Sequence, residues 1–298
     1  MDSVARVRTK VAVFYCLMLA LSAPFMALRF LSGHSDLLTL GLMWCPAFAA
    51  IATKLFFRES LWSLGWKWRG TPYQVLSYFL PILYALPVYL LVWLTGLGHF
   101  PSEDLVTRLR AEAVAAGTTD LSLWHILPVY IAKMATLGVA FGACFALGEE
   151  IGWRGFLVPE LAKVTGLKQV ALISGLMWAA WHYPLLIFGD YNKGTPGWLA
   201  LPCFTALVLS VSFILAKIRL VSGSLWAAVI FHSSHNIFVQ AVFTRLTSDT
   251  GPTNYIIDEF GIGLAMTSAI AAIIVYRRKA ADAQPGVPAD GLAPLGRR

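Results

Sequence analysis

Residues 148–160 read GEEIGWRGFLVPE, and this stretch interrupts a long apolar run that begins near Met134. It places Glu149, Glu150 and Arg154 where a membrane helix is expected to stay apolar. An ionisable side chain at the centre of a membrane helix costs at least about 2.5–3.5 kcal/mol on insertion scales, so a functional role is its usual explanation. The stretch therefore indicates a polar site inside an apolar protein.

The rest of the chain has the composition of an integral membrane protein. Of the 298 residues, 58% are hydrophobic and 13% are charged, and the mean hydropathy is +0.68. A helix that crosses the hydrocarbon core needs roughly 20 apolar residues. Runs of about this length predict an all-α fold, a polytopic bundle of about eight transmembrane helices, at Val11–Leu31, Leu37–Phe56, Val75–Leu97, Met134–Val158, Gln169–Phe188, Trp198–Ile218, Ser224–Thr244 and Ile257–Tyr276.

The charge distribution predicts the orientation of this bundle. The formal net charge is +7, and basic residues such as Arg6, Lys54 and Lys163 concentrate on the side that holds both termini if eight helices cross. The positive-inside rule then places both termini in the cytoplasm, with the lipid bilayer rather than nucleic acid as partner. The four cysteines lie inside apolar runs without CxxC spacing, so they predict neither a disulfide framework nor a zinc cluster.

Composition also suggests the domain organisation. Residues 1–279 form one membrane domain whose polar motifs fall within a core at 134–244, and the Ala-, Pro- and Gly-rich residues 280–298 are predicted to be a disordered tail. The segment 101–122 opens with Ser102 at a helix N-cap position, which predicts a short surface helix on the non-cytoplasmic side. Compact loops favour a prokaryotic plasma membrane. The oligomeric state does not follow from the sequence.

Two further apolar runs carry polar residues. The fifth contains His182 with Trp178 one turn before it, and the seventh contains His232, His235 and Asn236. If the fifth helix enters the membrane near Leu172 and the seventh near Ser222, counting 1.5 Å per residue brings His182 and His232 close to the bilayer centre. Three separate polar clusters at one depth predict a shared site. His235 is expected to be a hydrogen-bonded helix histidine without a catalytic role.

Helical spacing within the first cluster predicts how its side chains divide. Glu150 and Arg154 stand at i and i+4 with the acid on the N-terminal side, which favours an ion pair. Glu149 points about 100° away around the helix and can face a different neighbour. The two glutamates reach the depth of the histidines if their helix begins near Lys133 and continues towards Pro159.

This set of side chains fits the hydrolysis of an amide by water. A carboxylate in a partly apolar cavity is a stronger base than one in water, so Glu149 can accept the proton of a water molecule that His182 holds. His232 and Asn236 can donate hydrogen bonds to the oxygen that becomes negative when water attacks a carbonyl group.

Other functions stay open at this stage. The polar residues can form a buried network that only clamps helices together. Glu149, Glu150, His182 and His232 can ligate Zn²⁺ in a zinc-dependent intramembrane metalloprotease, although the chain has no HExxH helix. Chains of Glu and His also form proton relays, so a proton-coupled transporter or a non-catalytic binding protein is a further candidate, although no repeated halves are visible.

At these residues the chain resembles the CPBP family of intramembrane proteases, which includes type II CAAX prenyl proteases and bacteriocin-processing, Abi-like proteins. The family pattern is EExxxR, FxxxH and HxxxN, each on its own transmembrane helix. Here EEIGWR at 149–154, WAAWH at 178–182 and HSSHN at 232–236 match it in the same order. Trp178 stands where the family has phenylalanine, so an aromatic ring is kept.

The resemblance implies an endopeptidase that acts on a peptide or membrane-protein substrate and needs neither metal nor other cofactor. In the family, the first glutamate and the second-motif histidine activate the water, which implies this role for Glu149 and His182. The histidine and asparagine of the third motif stabilise the oxyanion, which implies that role for His232 and Asn236. Glu150, Arg154 and Trp178 then support the site. The expected site opens towards the cytoplasmic leaflet, and the substrate, prenylated or not, does not follow from the resemblance.

Overall fold

The computed structural model describes residues 3–192 and 194–278, and the predicted all-α fold is confirmed. The described helices are α1 (Ser3–Ser32), α2 (Asp36–Phe56), α3 (Thr71–Thr95), α4 (Glu103–Ala115), α5 (Leu123–Ala162), α6 (Leu167–Phe188), α7 (Gly197–Ser222), α8 (Trp226–His235, continued as a π-helix over Asn236–Phe243) and α9 (Ile262–Arg277). Short 3₁₀ turns at Leu61–Leu64 and Thr253–Tyr255 and an antiparallel pair, β1 (Gly98–His99) and β2 (Ser248–Asp249), complete these elements. The predicted tail at 280–298 lies outside the described residues.

Each of the eight predicted apolar runs corresponds to one helix, although the last helix begins at Ile262 rather than at Ile257, and α4 is the additional short helix. Helices α1, α2, α3, α5, α6 and α7 are long and apolar enough to cross a membrane by length and composition, whereas α8 and α9 are shorter. The short helix begins where it was predicted, because the Ser102 side chain accepts a hydrogen bond from the Leu105 N–H at 3.5 Å.

Helix α5 is longer than the sequence indicated. It begins at Leu123, after Ser122, rather than near Lys133, and it is 40 residues long. The apolar residues before Lys133 continue the helix, since Pro128 removes only one hydrogen bond close to its start. At the other end the helix runs past Pro159, as expected, so both glutamates lie well inside it.

Helix α2 packs directly on the part of α5 that carries the two glutamates. A Cβ atom added at Gly148 would lie 2.6 Å from the carbonyl oxygen of Met43, and one at Gly152 would lie 2.8 Å from that of Pro46. Small residues one turn apart allow such close backbone approach between membrane helices. The contact fixes α5 against α2 on both sides of the glutamate pair.

Two of the motif helices change to π-helical geometry at the motifs. Helix α5 is π-helical over Ile151–Leu157, directly after Glu150, and α8 is π-helical from Asn236 onwards. Single π-helical turns inside α-helices are frequent at functional sites. The altered backbone of α5 is held from α7 by Arg219, whose Nε donates to the carbonyl oxygen of Arg154 at 2.9 Å.

Candidate active site

The three motif helices α5, α6 and α8 enclose, together with α1, α2 and α7, a cavity of about 240 Å³. Most of the predicted site residues line it, namely Glu149, Trp178, His182, His232 and Asn236. The two remaining predicted residues, Glu150 and Arg154, lie one contact away, Glu150 against His232 and Arg154 against the ring of Trp178. The structure therefore brings the three sequence motifs together.

The cavity lies nearer the end of the bundle that is opposite Ser3, where α1 begins. Arg29, which lines it, is three residues before the end of α1 at Ser32, and His182 is six residues before the end of α6 at Phe188. Which leaflet this end of the bundle faces depends on the orientation of the chain. The opening towards the cytoplasmic leaflet therefore stays a prediction.

Glu149 is buried and oriented by neutral donors. Its Oε2 accepts a hydrogen bond from the indole Nε1 of Trp178 at 2.7 Å and a longer one from that of Trp153 at 3.4 Å. An indole is a donor only and carries no charge, so these contacts orient the carboxylate without neutralising it. The predicted division holds, since Glu149 faces α6 whereas Glu150 forms the ion pair.

Glu150 and Arg154 form the predicted i, i+4 ion pair, and both are completely buried. Arg154 Nη1 donates to Glu150 Oε1 at 2.8 Å, and Nδ1 of His232 lies 2.9 Å from the same oxygen. The guanidinium also lies 4.3 Å from the centre of the Trp178 ring, a cation–π contact. The pair thus supports Trp178, which belongs to the second motif, and His232, which belongs to the third.

The hydrogen bond of His182 assigns its tautomer. Nδ1 lies 2.9 Å from the carbonyl oxygen of Trp178. A carbonyl oxygen only accepts, so Nδ1 carries the hydrogen and, in the neutral ring, Nε2 keeps its lone pair. The imidazole can therefore accept a proton or a hydrogen bond through Nε2.

Aromatic side chains enclose the His182 ring on several sides. The ring centroids of Trp181 and Phe204 lie 4.8 and 5.3 Å away in edge-on geometry, and the Tyr191 ring is stacked at 5.8 Å with an angle of 26°. Such packing restricts the ring to one orientation. Of these three neighbours, Tyr191 alone has a hydroxyl group.

His232 and Asn236 occupy the same wall of the cavity, one helical turn apart on α8. The ionised Glu150 carboxylate can only accept, so the Nδ1 of His232 donates to it. Nε2 of His232 then carries a hydrogen only when the ring is positively charged. A carboxylate at Nδ1 stabilises that charged form.

Several lining residues were not predicted. Arg29, Tyr191, Gln240 and Glu259 come from helix ends and loops outside the three motifs, and His235 belongs to the third motif but was expected to be uninvolved. A signal was present for Glu259, a carboxylate in an apolar run. Gln240 stands four residues after Asn236 on α8, so helical spacing relates it to the third motif, whereas Arg29 and Tyr191 carry no such spacing.

One of these residues, Arg29, ties the end of α1 to the loop after α6. Its Nη2 donates to the Asp190 carboxylate at 2.6 Å. Partial burial alone would raise the pKa of the Asp190 carboxyl. The hydrogen bond from Arg29 outweighs this effect and holds the pKa below its usual value. The contact lies at the end of the bundle nearer the cavity.

The zinc alternative requires several ligating side chains that lie close together. Over residues 3–192 and 194–278, no group of three or more His, Cys, Asp or Glu side chains is placed to hold one. The Glu149 and Glu150 carboxylates instead accept from Trp178 and Arg154. Metal dependence is therefore a question for the cleavage assay below.

Comparisons with known proteins agree with the motifs. Residues 132–238 match the Rce1-like family, which is described as type II CAAX prenyl endopeptidase Rce1-like. The chain is 28% identical over 140 residues to CAAX prenyl protease 2 of Methanococcus maripaludis, a match that covers 44% of this chain and 46% of the relative. The match thus spans less than half of the relative's length. Both findings confirm the resemblance to the CPBP family, and with the long apolar helices they support a multi-pass integral membrane protein.

Proposed function

We propose that the chain is an intramembrane endopeptidase in which Glu149 activates water, because residues 132–238 match the Rce1-like family. The observation that supports this most directly is the meeting of three motifs from three helices in one cavity. A clamp between helices needs the buried pair of Glu150 and Arg154 but gives no reason for a cavity beside Glu149.

In the proposed reaction Glu149 and Nε2 of His182 are the two acceptors for a water molecule. As the water oxygen attacks the carbonyl carbon of the peptide bond, its proton moves to the Glu149 carboxylate. The protonated Glu149 then gives this proton to the amide nitrogen of the leaving group as the C–N bond breaks. General base and general acid steps of this kind contribute about 10²–10⁴ in rate each.

The carbonyl oxygen becomes negative in this step, and α8 supplies its donors. Asn236 can donate from its amide, and the charged form of His232 can donate from Nε2. Glu150 favours that charged form, and Arg154 keeps Glu150 ionised through the buried ion pair. Donors in such a site are worth about 10²–10³ in kcat each.

The substrate proposed is a peptide with apolar side chains around the bond that is cut. Helix α7 contributes an apolar wall to the cavity, consisting of Phe204, Leu207, Val208 and Val211. The name of the relative suggests a prenylated peptide as the first candidate. A peptide tested with and without its prenyl group should show a lower KM with the group if the membrane-embedded site uses it.

The proposal is tested by cleavage of such peptides by the purified full-length chain in detergent. Wild type, Glu149→Ala and Glu150→Ala are compared with and without a strong chelator. The exposed Glu112 on α4 provides a matched control, Glu112→Ala. Cleavage that survives chelation and is lost in Glu149→Ala supports the glutamate mechanism. Loss on chelation with recovery in Zn²⁺ indicates the metalloprotease, and no cleavage of any peptide favours transport or binding.

A further inference from the structure

A second chain of hydrogen bonds lies in the wall of the cavity, outside the proposed machinery. Oε1 of Glu259 accepts from Nε2 of His235 at 2.9 Å, and Oε2 accepts from the Tyr191 hydroxyl at 2.5 Å. The Tyr84 hydroxyl contacts Nδ1 of the same histidine. We call Tyr84, His235, Glu259 and Tyr191 the Glu259 chain. It joins α3, α8 and the segments before α9 and after α6.

The Glu259 chain is largely buried, and a buried polar group costs folding free energy unless it forms hydrogen bonds. Glu259 is 5% exposed and His235 is 6% exposed. A carboxylate taken out of water needs several donors to offset its lost hydration. His235 and Tyr191 supply two of them, which explains why a second histidine follows His232 so closely. Because Glu259, His235 and Tyr191 also line the cavity, the chain is placed to act on the site.

The link to the site is the ring of Tyr191, which stacks on the imidazole of His182. Glu259 fixes the hydroxyl end of Tyr191, so the ring cannot rotate or tilt away from the stack. A phenol that donates to a carboxylate also has a more electron-rich ring. The face of such a ring attracts positive charge, so it favours the partial positive charge that the imidazole gains when Nε2 accepts a hydrogen bond from the water.

We propose that Glu259 is a positioning residue for His182 and acts through Tyr191. This inference rests on the proposed function, because it concerns the histidine that holds the water. Glu259 lies outside residues 132–238, the region that matches the family, so the last part of the chain completes the site. His235 holds Glu259 in place and does not touch the reacting atoms.

A double-mutant cycle on cleavage tests this arrangement. Glu259→Gln and Tyr191→Phe should each lower kcat by roughly tenfold with KM little changed, less than the hundredfold that a misplacement of about 1 Å can cause. The double variant should be no slower than either single variant, because both changes break one link. Tyr183→Phe is the matched control, since its hydroxyl contacts Thr205 on α7 at 2.8 Å. Additive losses, or an equal loss in Tyr183→Phe, would overturn the proposal.

A second measurement does not depend on cleavage. Diethyl pyrocarbonate acylates accessible imidazole nitrogens, and mass spectrometry reports its reaction with His182 alone. Labelling of His182 should be faster in Glu259→Gln and Tyr191→Phe than in wild type and unchanged in Tyr183→Phe. Unchanged labelling in Glu259→Gln would overturn the positioning role. If wild type cleaves no peptide, the proposed function fails, and this labelling still decides whether Glu259 orients His182.

Discussion

Replacing Gly152 with alanine tests the contact between α2 and α5 that places the two glutamates. The added Cβ would lie 2.5 Å from Pro46 Cβ and 2.8 Å from the Pro46 carbonyl oxygen. Carbon atoms in contact prefer about 3.5–4.0 Å, so α2 must retreat by about 1 Å, because backbone rather than a flexible side chain is in the way. Overpacking of this kind typically costs about 1–3 kcal/mol.

Thermal unfolding in detergent, followed by tryptophan fluorescence, measures this cost. In larger domains 1 kcal/mol corresponds to roughly 2–4 °C in Tm, so a decrease of several degrees is expected for Gly152→Ala. Gly197→Ala is the matched control, because nothing lies within 4 Å of a Cβ added there. Peptide cleavage should fall in Gly152→Ala as well, since the shift moves Glu149. Equal Tm values for the two variants would refute the close contact.

Two further predictions concern charged pairs. Arg154→Met leaves the buried Glu150 without its main partner, and breaking such a pair costs about 3–5 kcal/mol, which chemical unfolding compared with the exposed Arg108→Met should detect. The lowered pKa of Asp190 means that its pair with Arg29 stabilises the fold above the usual carboxyl pKa and loses this effect as the pH falls. The difference in unfolding free energy between wild type and Asp190→Asn should therefore be small at pH 7, under about 1 kcal/mol for a partly exposed pair, and vanish in acid; a difference that grows in acid would contradict this sign.

The sequence could predict what depends on regular helical spacing. Glu150 and Arg154 pair because residues four apart share a helix face. Glu149 faces α6 instead, because adjacent residues in a helix point in different directions. Counting along helices also predicted that His182 and His232 share one layer. Both line one cavity, although their helices begin at Leu167 and Trp226 rather than near Leu172 and Ser222. Such inferences need only the rise and the turn of a helix.

Other parts of the site depend on tertiary packing that no local pattern encodes. Tyr191 and Glu259 are 68 residues apart in the chain, yet they share a hydrogen bond across two loops. The approach of α2 to Gly152 depends on which helices become neighbours. We expected α5 to begin near Lys133, which was wrong. The helix begins at Leu123 because Pro128, close to its start, is tolerated there.

The central claim is that the Glu149 carboxylate takes the proton of the attacking water. The most direct test compares kcat and KM of wild type and Glu149→Gln for the same peptide, because glutamine keeps the shape and an oxygen acceptor for Trp178 but cannot act as the base. We predict that kcat falls by about 10²–10⁴ while KM changes little. Cleavage by Glu149→Gln at more than about a tenth of the wild-type rate would contradict the mechanism.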